Sequence, residues 1–155
     1  MDRQKLPARH VHIGRTLHAT QQVVEALDAF CAAESVPDEV AWQFRVALDE
    51  IVANFVSHAH APHSGVASAP SLDLWFRREQ GAVEVTVADN GPAFNPLLHP
   101  DPDVTLPLSA RKPGGLGITL VKSLMDDVRY ERTDRNVLTI RKQLGTVAGP
   151  LTGKR

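Results

Sequence analysis

Residues 71–88 read SLDLWFRREQGAVEVTVA. Leu72, Leu74 and Phe76 alternate with Asp73, Trp75 and Arg77, while Val83, Val85 and Val87 alternate with Glu84 and Thr86. Alternation of period two puts apolar chains on one face of a strand and polar chains on the other. Two such runs around Arg78-Glu79-Gln80-Gly81 predict a β-hairpin with strands over 71–78 and 82–88. Working outward, a second strand pair is predicted at 128–133 and 137–144, joined by Asp134-Arg135-Asn136, and a short strand over 10–15.

The remaining segments repeat with helical spacing. Over 18–34, Val23, Val24, Leu27, Phe30 and Cys31 fall on one helix face. Residues 35–39 read as a break and restart, with Pro37 in the first turn of the next helix and acids near its positive end. That second helix, over 38–58, carries Val40, Trp42, Phe44, Val46, Leu48, Ile51, Val52, Phe55 and Val56 around much of its circumference. Such a distribution predicts burial on more than one side. Residues 60–70 read as a loop, and 95–113, with prolines at 96, 100, 102, 107 and 113, as a long irregular one. Ile118, Val121, Leu124 and Met125 predict a third helix over 117–127. The order β-α-α-β-β-loop-α-β-β predicts an α+β fold, a two-layer sandwich of a mixed, largely antiparallel sheet with helices on one face.

The 155 residues fit one domain over 1–155, with its core at about 10–144 and a flexible tail over 145–155. A formal net charge of -1 argues against a dedicated nucleic-acid binder. The balance is uneven along the chain: residues 1–110 hold 7 basic and 14 acidic side chains, and 111–155 hold 10 and 4. Two solvated faces of opposite sign account for this, as does an anion site that draws on the C-terminal part. Cys31 is the single cysteine, so there is no internal disulfide and a reducing compartment is expected. No apolar run approaches the roughly 20 residues that cross a bilayer, and 1–9 is polar. A cytoplasmic location is the expectation.

Three constellations carry chemistry. Glu50, Asn54 and His58 recur at i, i+4 and i+8 and form one polar stripe on an otherwise apolar helix. The stripe is either a hydrated edge or the lining of a polar cavity. In a cavity, Glu50 is placed to act as a base and Asn54 to offer an amide oxygen to a hard cation such as Mg²⁺. Ala88-Asp89-Asn90-Gly91-Pro92-Ala93-Phe94 follows a predicted strand. It is a plain turn, or one whose carboxylate accepts from the exocyclic amine of a nucleobase. Gly114-Gly115-Leu116-Gly117 leads into a helix, where backbone amides and the dipole favour an anion, with Arg111 and Lys112 just upstream. No Lys-Ser or Lys-Thr follows these glycines and no strand precedes them, which excludes a Walker A loop and counts against a Rossmann fingerprint.

In this order and spacing the motifs resemble the GHKL ATPase superfamily, whose members include gyrase, mismatch-repair ATPases and histidine kinases. Glu50-Ile-Val-Ala-Asn54 looks like its N box, Asp89-Asn-Gly91-Pro-Ala93-Phe94 like its first glycine box, and Gly114-Gly115-Leu116-Gly117-Ile118 like its second. The likeness spans about residues 10–144. Within the superfamily the chain is most similar to the small anti-sigma-factor serine/threonine kinases of partner-switching systems. His58 after the N-box asparagine, Phe94 with Asn95-Pro96, and the late Arg135-Asn136-Val-Leu-Thr-Ile-Arg141 carry that likeness.

The resemblance implies the Bergerat ATP-binding fold, ATP and Mg²⁺ as cofactors, and transfer of phosphate to a protein Ser or Thr. It implies Glu50 as general base and Asn54 as Mg²⁺ ligand. It also implies that Asp89 would read the adenine amine and Gly91 would shape the turn beside the base. By the same resemblance, Gly115 and Gly117 would cradle the phosphates, 95–113 would form the ATP lid, and Ala93, Phe94, Arg111, Lys112, Gly114, Leu116 and Ile118 would complete the nucleotide site. Ala93 departs from the second glycine that many members carry in the first box. The implied partners are a STAS-type anti-sigma antagonist and a sigma factor, with a homodimer possible and no nucleic acid or membrane. Two other readings use the same pocket: a nucleotide-tuned binding module without phosphoryl transfer, and a histidine-kinase-like catalytic fragment. Glu50 favours chemistry over mere binding. A metal site built on His58, His60 and His63 with His10 and His12 is disfavoured, since the helix stops between His58 and His63 and no zinc-like spacing is present.

Overall fold

The structure, a computed structural model, describes residues 8–14, 18–58, 69–98, 100, 103–110 and 116–145. In chain order its elements are β1 (Arg9–Gly14), α1 (Ala19–Ala33), α2 (Asp38–His58), β2 (Ser71–Glu79) and β3 (Ala82–Asp89). Two 3-10 turns (Pro96–Leu98 and Leu108–Ala110), α3 (Leu116–Leu124), β4 (Asp127–Arg132) and β5 (Asn136–Gln143) follow. The strands form one sheet in the order β1-β2-β3-β5-β4. Every described pairing is antiparallel, so the sheet lacks the parallel component that a mixed one would have. The reason is the path of the chain. After α3 it enters at the far edge as β4, and β5 turns back to run beside β3 in the opposite direction.

The period-two pattern decides which face is covered. Leu72, Leu74 and Phe76 of β2, Val83, Val85 and Val87 of β3, and Leu138 and Ile140 of β5 are buried on one side of the sheet. The β2–β3 turn is tighter than the sequence suggests, because only Gln80 and Gly81, at φ 48° and 76°, leave the strands. Two consecutive positive φ values match the right-handed strand twist, and glycine relieves the second position.

Helix α1 buries Ala19, Val23, Leu27, Phe30 and Cys31, as its spacing predicts. It ends where Ser35 turns left-handed at φ 52°, and the Pro37 carbonyl accepts the first bond of α2 from the Ala41 amide at 2.9 Å. Asp38 and Glu39 in the first turn and His58 in the last complement the dipole of α2. The expected burial of α2 on more than one side does not extend to its whole apolar set. Val40, Phe44, Ala47, Leu48, Ile51 and Val52 are buried, whereas Trp42 and Val56 lie on the outer side with 58% and 42% of their surface exposed. Helix α3 stops at Leu124, three residues before the predicted end, and buried Met125 closes its last turn onto Val121. None of the described helices is long and apolar enough to cross a membrane.

Candidate functional site

The alternation Val83-Val85-Val87 continues one step to Asp89, so a carboxylate stands at the end of β3 on the covered face. Its Oδ1 accepts from the Gly91 amide at 2.8 Å and from Asn136 Nδ2 at 3.0 Å. Its Oδ2 has no hydrogen bond among the described residues. A Cβ on Gly91 would lie 2.8 Å from Asp89 Oδ1, so the turn needs a glycine there.

Asn136, directly opposite Asp89 in the β3–β5 register and 6% exposed, ties the whole turn together. Its Nδ2 also donates to the Pro92 carbonyl at 2.8 Å, and its Oδ1 accepts from the Phe94 amide at 3.1 Å and the Tyr130 hydroxyl at 2.6 Å. From outside, Arg132 Nη1 donates to the Gly91 carbonyl at 3.0 Å. Asn90 fastens the turn to the start of β2: its Oδ1 accepts from the Ser71 amide at 2.9 Å and its Nδ2 donates to the Ala69 carbonyl at 2.8 Å.

The second wall of the cleft is the C-terminal half of α2. Ile51, Asn54, Phe55 and His58 face Leu72, Val87, Asp89, Gly91, Pro92, Phe94, Ile118, Tyr130, Asn136 and Leu138 across it. His58 donates from Nδ1 to the Asn54 carbonyl at 2.7 Å, because a carbonyl can only accept, and its ring stacks on Phe94 with centroids 4.1 Å apart. The Asn54 side-chain amide is without a hydrogen bond among the described residues. One turn earlier, Glu50 lies against the first turn of α3, so close to Gly117 that a Cβ there would collide with its carboxylate. Among the described residues Glu50 makes no ion pair. An apolar slot with an acceptor-only carboxylate at its end suits a planar group carrying an N–H donor. An uncommitted amide and a carboxylate on the adjoining helix face suit a hard cation and a proton transfer.

Of the residues singled out in the sequence, Asn54, Asp89, Gly91, Phe94 and Ile118 line this cleft, and Glu50 and Gly117 meet beside it. Ala93 is exposed on the turn. Leu116 opens α3. Arg111, Lys112, Gly114 and Gly115 lie outside the described residues, as do His60 and His63. The sequence reading missed Asn136, which it assigned to a turn. Counting back by two from Leu138 reaches it, and that count was the available signal.

It also missed a cluster on the open face of the sheet. Asp73 Oδ1 accepts from His10 Nε2 at 2.8 Å and His12 Nδ1 at 2.9 Å, and its Oδ2 from Arg135 Nη2 at 2.7 Å. Burial pushes this carboxyl up. The three hydrogen bonds and the Arg135 charge outweigh that and hold it at about 2. Arg135 also donates to the Ala88 carbonyl at 3.0 Å, so the cluster braces the backbone just before Asp89.

A sequence profile of the histidine kinase-like ATPase domain matches residues 14–142, from the end of β1 to the last residues of β5. The chain belongs to this family. It is similar to the serine/threonine-protein kinase BtrW of Bordetella bronchiseptica. The two are 30% identical over 125 residues, which is 77% of this chain and 85% of BtrW. It is 25% identical over 133 residues to the serine-protein kinase RsbW of Oceanobacillus iheyensis, covering 81% of this chain and 75% of RsbW. The crystal structure of the RsbU and RsbW domains of Rv1364c from Mycobacterium tuberculosis shares the fold. The TM-score is 0.60 at 18% identity, over 89% of this chain and 32% of that longer one.

Proposed function

We propose that this histidine kinase-like ATPase domain is an ATP- and Mg²⁺-dependent protein serine/threonine kinase and an anti-sigma-type regulator. In this reading one domain acts in the cytoplasm, phosphorylates a STAS-type antagonist and sequesters a sigma factor. One observation carries it: Asp89, with Oδ1 held and Oδ2 uncommitted, stands at the end of an apolar cleft whose other wall presents Asn54. The kinase names of BtrW and RsbW support the second half of the reading.

Each residue then has a task. Asp89 accepts from the exocyclic amine of adenine while Ile51, Val87 and Ile118 flank the ring, and Gly91, Ala93 and Phe94 shape the turn beside it. Asn54 holds Mg²⁺, which when bound offsets negative charge on the triphosphate. Gly114, Gly115 and Gly117 let the backbone approach the phosphates, Arg111 and Lys112 add positive charge, and the helix behind them begins at Leu116. The serine or threonine oxygen of the antagonist forms the new bond to the γ-phosphorus. The bond to the β–γ bridging oxygen breaks, ADP leaves with that electron pair, and Glu50 takes the hydroxyl proton. Positioning and charge stabilisation supply most of such a transfer, so the base contributes about 10² to 10⁴ in rate.

The test is incubation with γ-labelled ATP, Mg²⁺ and a STAS-domain antagonist, read as label on the antagonist. Glu50→Ala should keep ATP affinity by calorimetry and lose about 10² to 10⁴ of the transfer rate. A large affinity loss with transfer intact refutes the assignment of Glu50. Tight association tuned by ATP, with no label transferred by the unaltered protein, replaces the kinase with a binding module.

A further inference from the structure

We infer that Asn136 sets the base specificity of the cleft, by holding Asp89 so that its free oxygen meets only a donor on the bound purine. The inference rests on the nucleotide reading of the site given above.

The orientation of the Asn136 amide is determined by its neighbours. Its Oδ1 faces two donors, the Phe94 amide and the Tyr130 hydroxyl, and its Nδ2 faces acceptors on Asp89, Pro92 and Gly91. A flipped amide would set donor against donor and acceptor against acceptor. Asp89 Oδ1 therefore receives two N–H groups, one from Gly91 in its own turn and one from the opposite strand. The Gly91 bond alone is local and leaves the carboxylate some freedom about its χ2 axis. The cross-strand bond removes that freedom and leaves Oδ2 as the one acceptor presented to the cleft.

An ionised carboxylate accepts and cannot donate. A 6-aminopurine offers it an N–H, whereas a 6-oxopurine offers a second acceptor and leaves both groups unpaired in an apolar slot. A buried polar group left unpaired is how a site rejects an analogue. Asn136 is thus a positioning residue that acts through Asp89. Tyr130 and Arg132 are the other titratable groups on this hub, on the Asn136 Oδ1 and the Gly91 carbonyl.

Calorimetry with Mg·ATP and Mg·ITP tests this, since inosine carries the 6-oxo group. The unaltered protein should prefer ATP. Asn136→Ala, checked for folding by circular dichroism, should bind ATP about tenfold more weakly and ITP within about twofold of the unaltered protein, so that the preference collapses. Equal losses for the two nucleotides, or an unchanged preference, overturn the inference and reduce Asn136 to a structural clamp. If the alanine variant does not fold, the isosteric Asn136→Asp decides. An oxygen in place of Nδ2 faces acceptors on Asp89, Pro92 and Gly91, so the fixed N–H to Asp89 Oδ1 is lost and the preference for ATP should collapse by about tenfold. An unchanged preference in that variant overturns the inference. An unaltered protein that binds neither nucleotide overturns the ATP reading itself, and this inference with it, before any variant is made.

Discussion

At the scale of single residues, Asp73 is the sharpest case. Its side chain is 12% exposed and ties three groups from β1 and the β4–β5 turn to β2. Its carboxyl is held at about 2 against an ordinary 3.8, so the folded state binds this proton less readily than the unfolded chain. The stabilisation is complete above about pH 4 and disappears as the pH falls toward 2. Acid unfolding of the unaltered protein should lose about 1–2 kcal/mol through this group in that window, and Asp73→Asn should lack that loss. At neutral pH the same substitution should lower stability by about 2–4 kcal/mol in urea titrations, because it leaves Arg135 half-buried without its charge partner. None of this was legible in the sequence. There Asp73 is one more polar residue in an alternating strand, and His10 and His12, whose contacts span 63 and 61 residues, look like part of a weak strand or a metal site.

At the scale of elements, α2 was read to the residue, and β2 and β3 each to within one residue of their far ends. These segments have strong local periods and clear punctuation at Pro37, His58 and Gly81. The misreadings came where a local count stands in for packing. Trp42 fits the helical spacing of apolar residues, but no element among the described residues covers that side of α2. Asn136 fits a turn composition, but the β3–β5 register draws it into the sheet. The meeting of α2 and α3 carries an element-scale prediction. Gly117→Ala removes a glycine from a helix and should leave stability unchanged or raise it by up to about 1 kcal/mol. The new Cβ must displace the Glu50 carboxylate, the flexible end of a side chain. Phosphoryl transfer should therefore fall at least about tenfold while the melting temperature holds. A variant with full transfer would separate Glu50 from the chemistry.

At the scale of the whole molecule, the core joins the covered face of the sheet to α1, α2 and α3, and the cleft opens where α2 runs past the ends of β3 and β5. Phe44 is fully buried at the centre of that layer, and Phe44→Ala should cost about 3–5 kcal/mol in chemical denaturation. Trp42→Ala, two residues away on the exposed side, should stay within about 0.5 kcal/mol. Comparable losses would mean that something covers Trp42 in solution.

The amino-acid sequence by itself determined the elements, their order, the α+β class and the three motifs, because periodicity, turn chemistry and glycine spacing act over a few neighbouring residues. Only the tertiary structure decided that β5 lies between β3 and β4, which sets Asn136 opposite Asp89, and that α3 packs on α2, which sets Gly117 against Glu50. Those contacts join residues far apart in the chain. They exist because burying the apolar faces of sheet and helices together leaves one arrangement, and a polar residue's partner is settled by what that arrangement brings beside it.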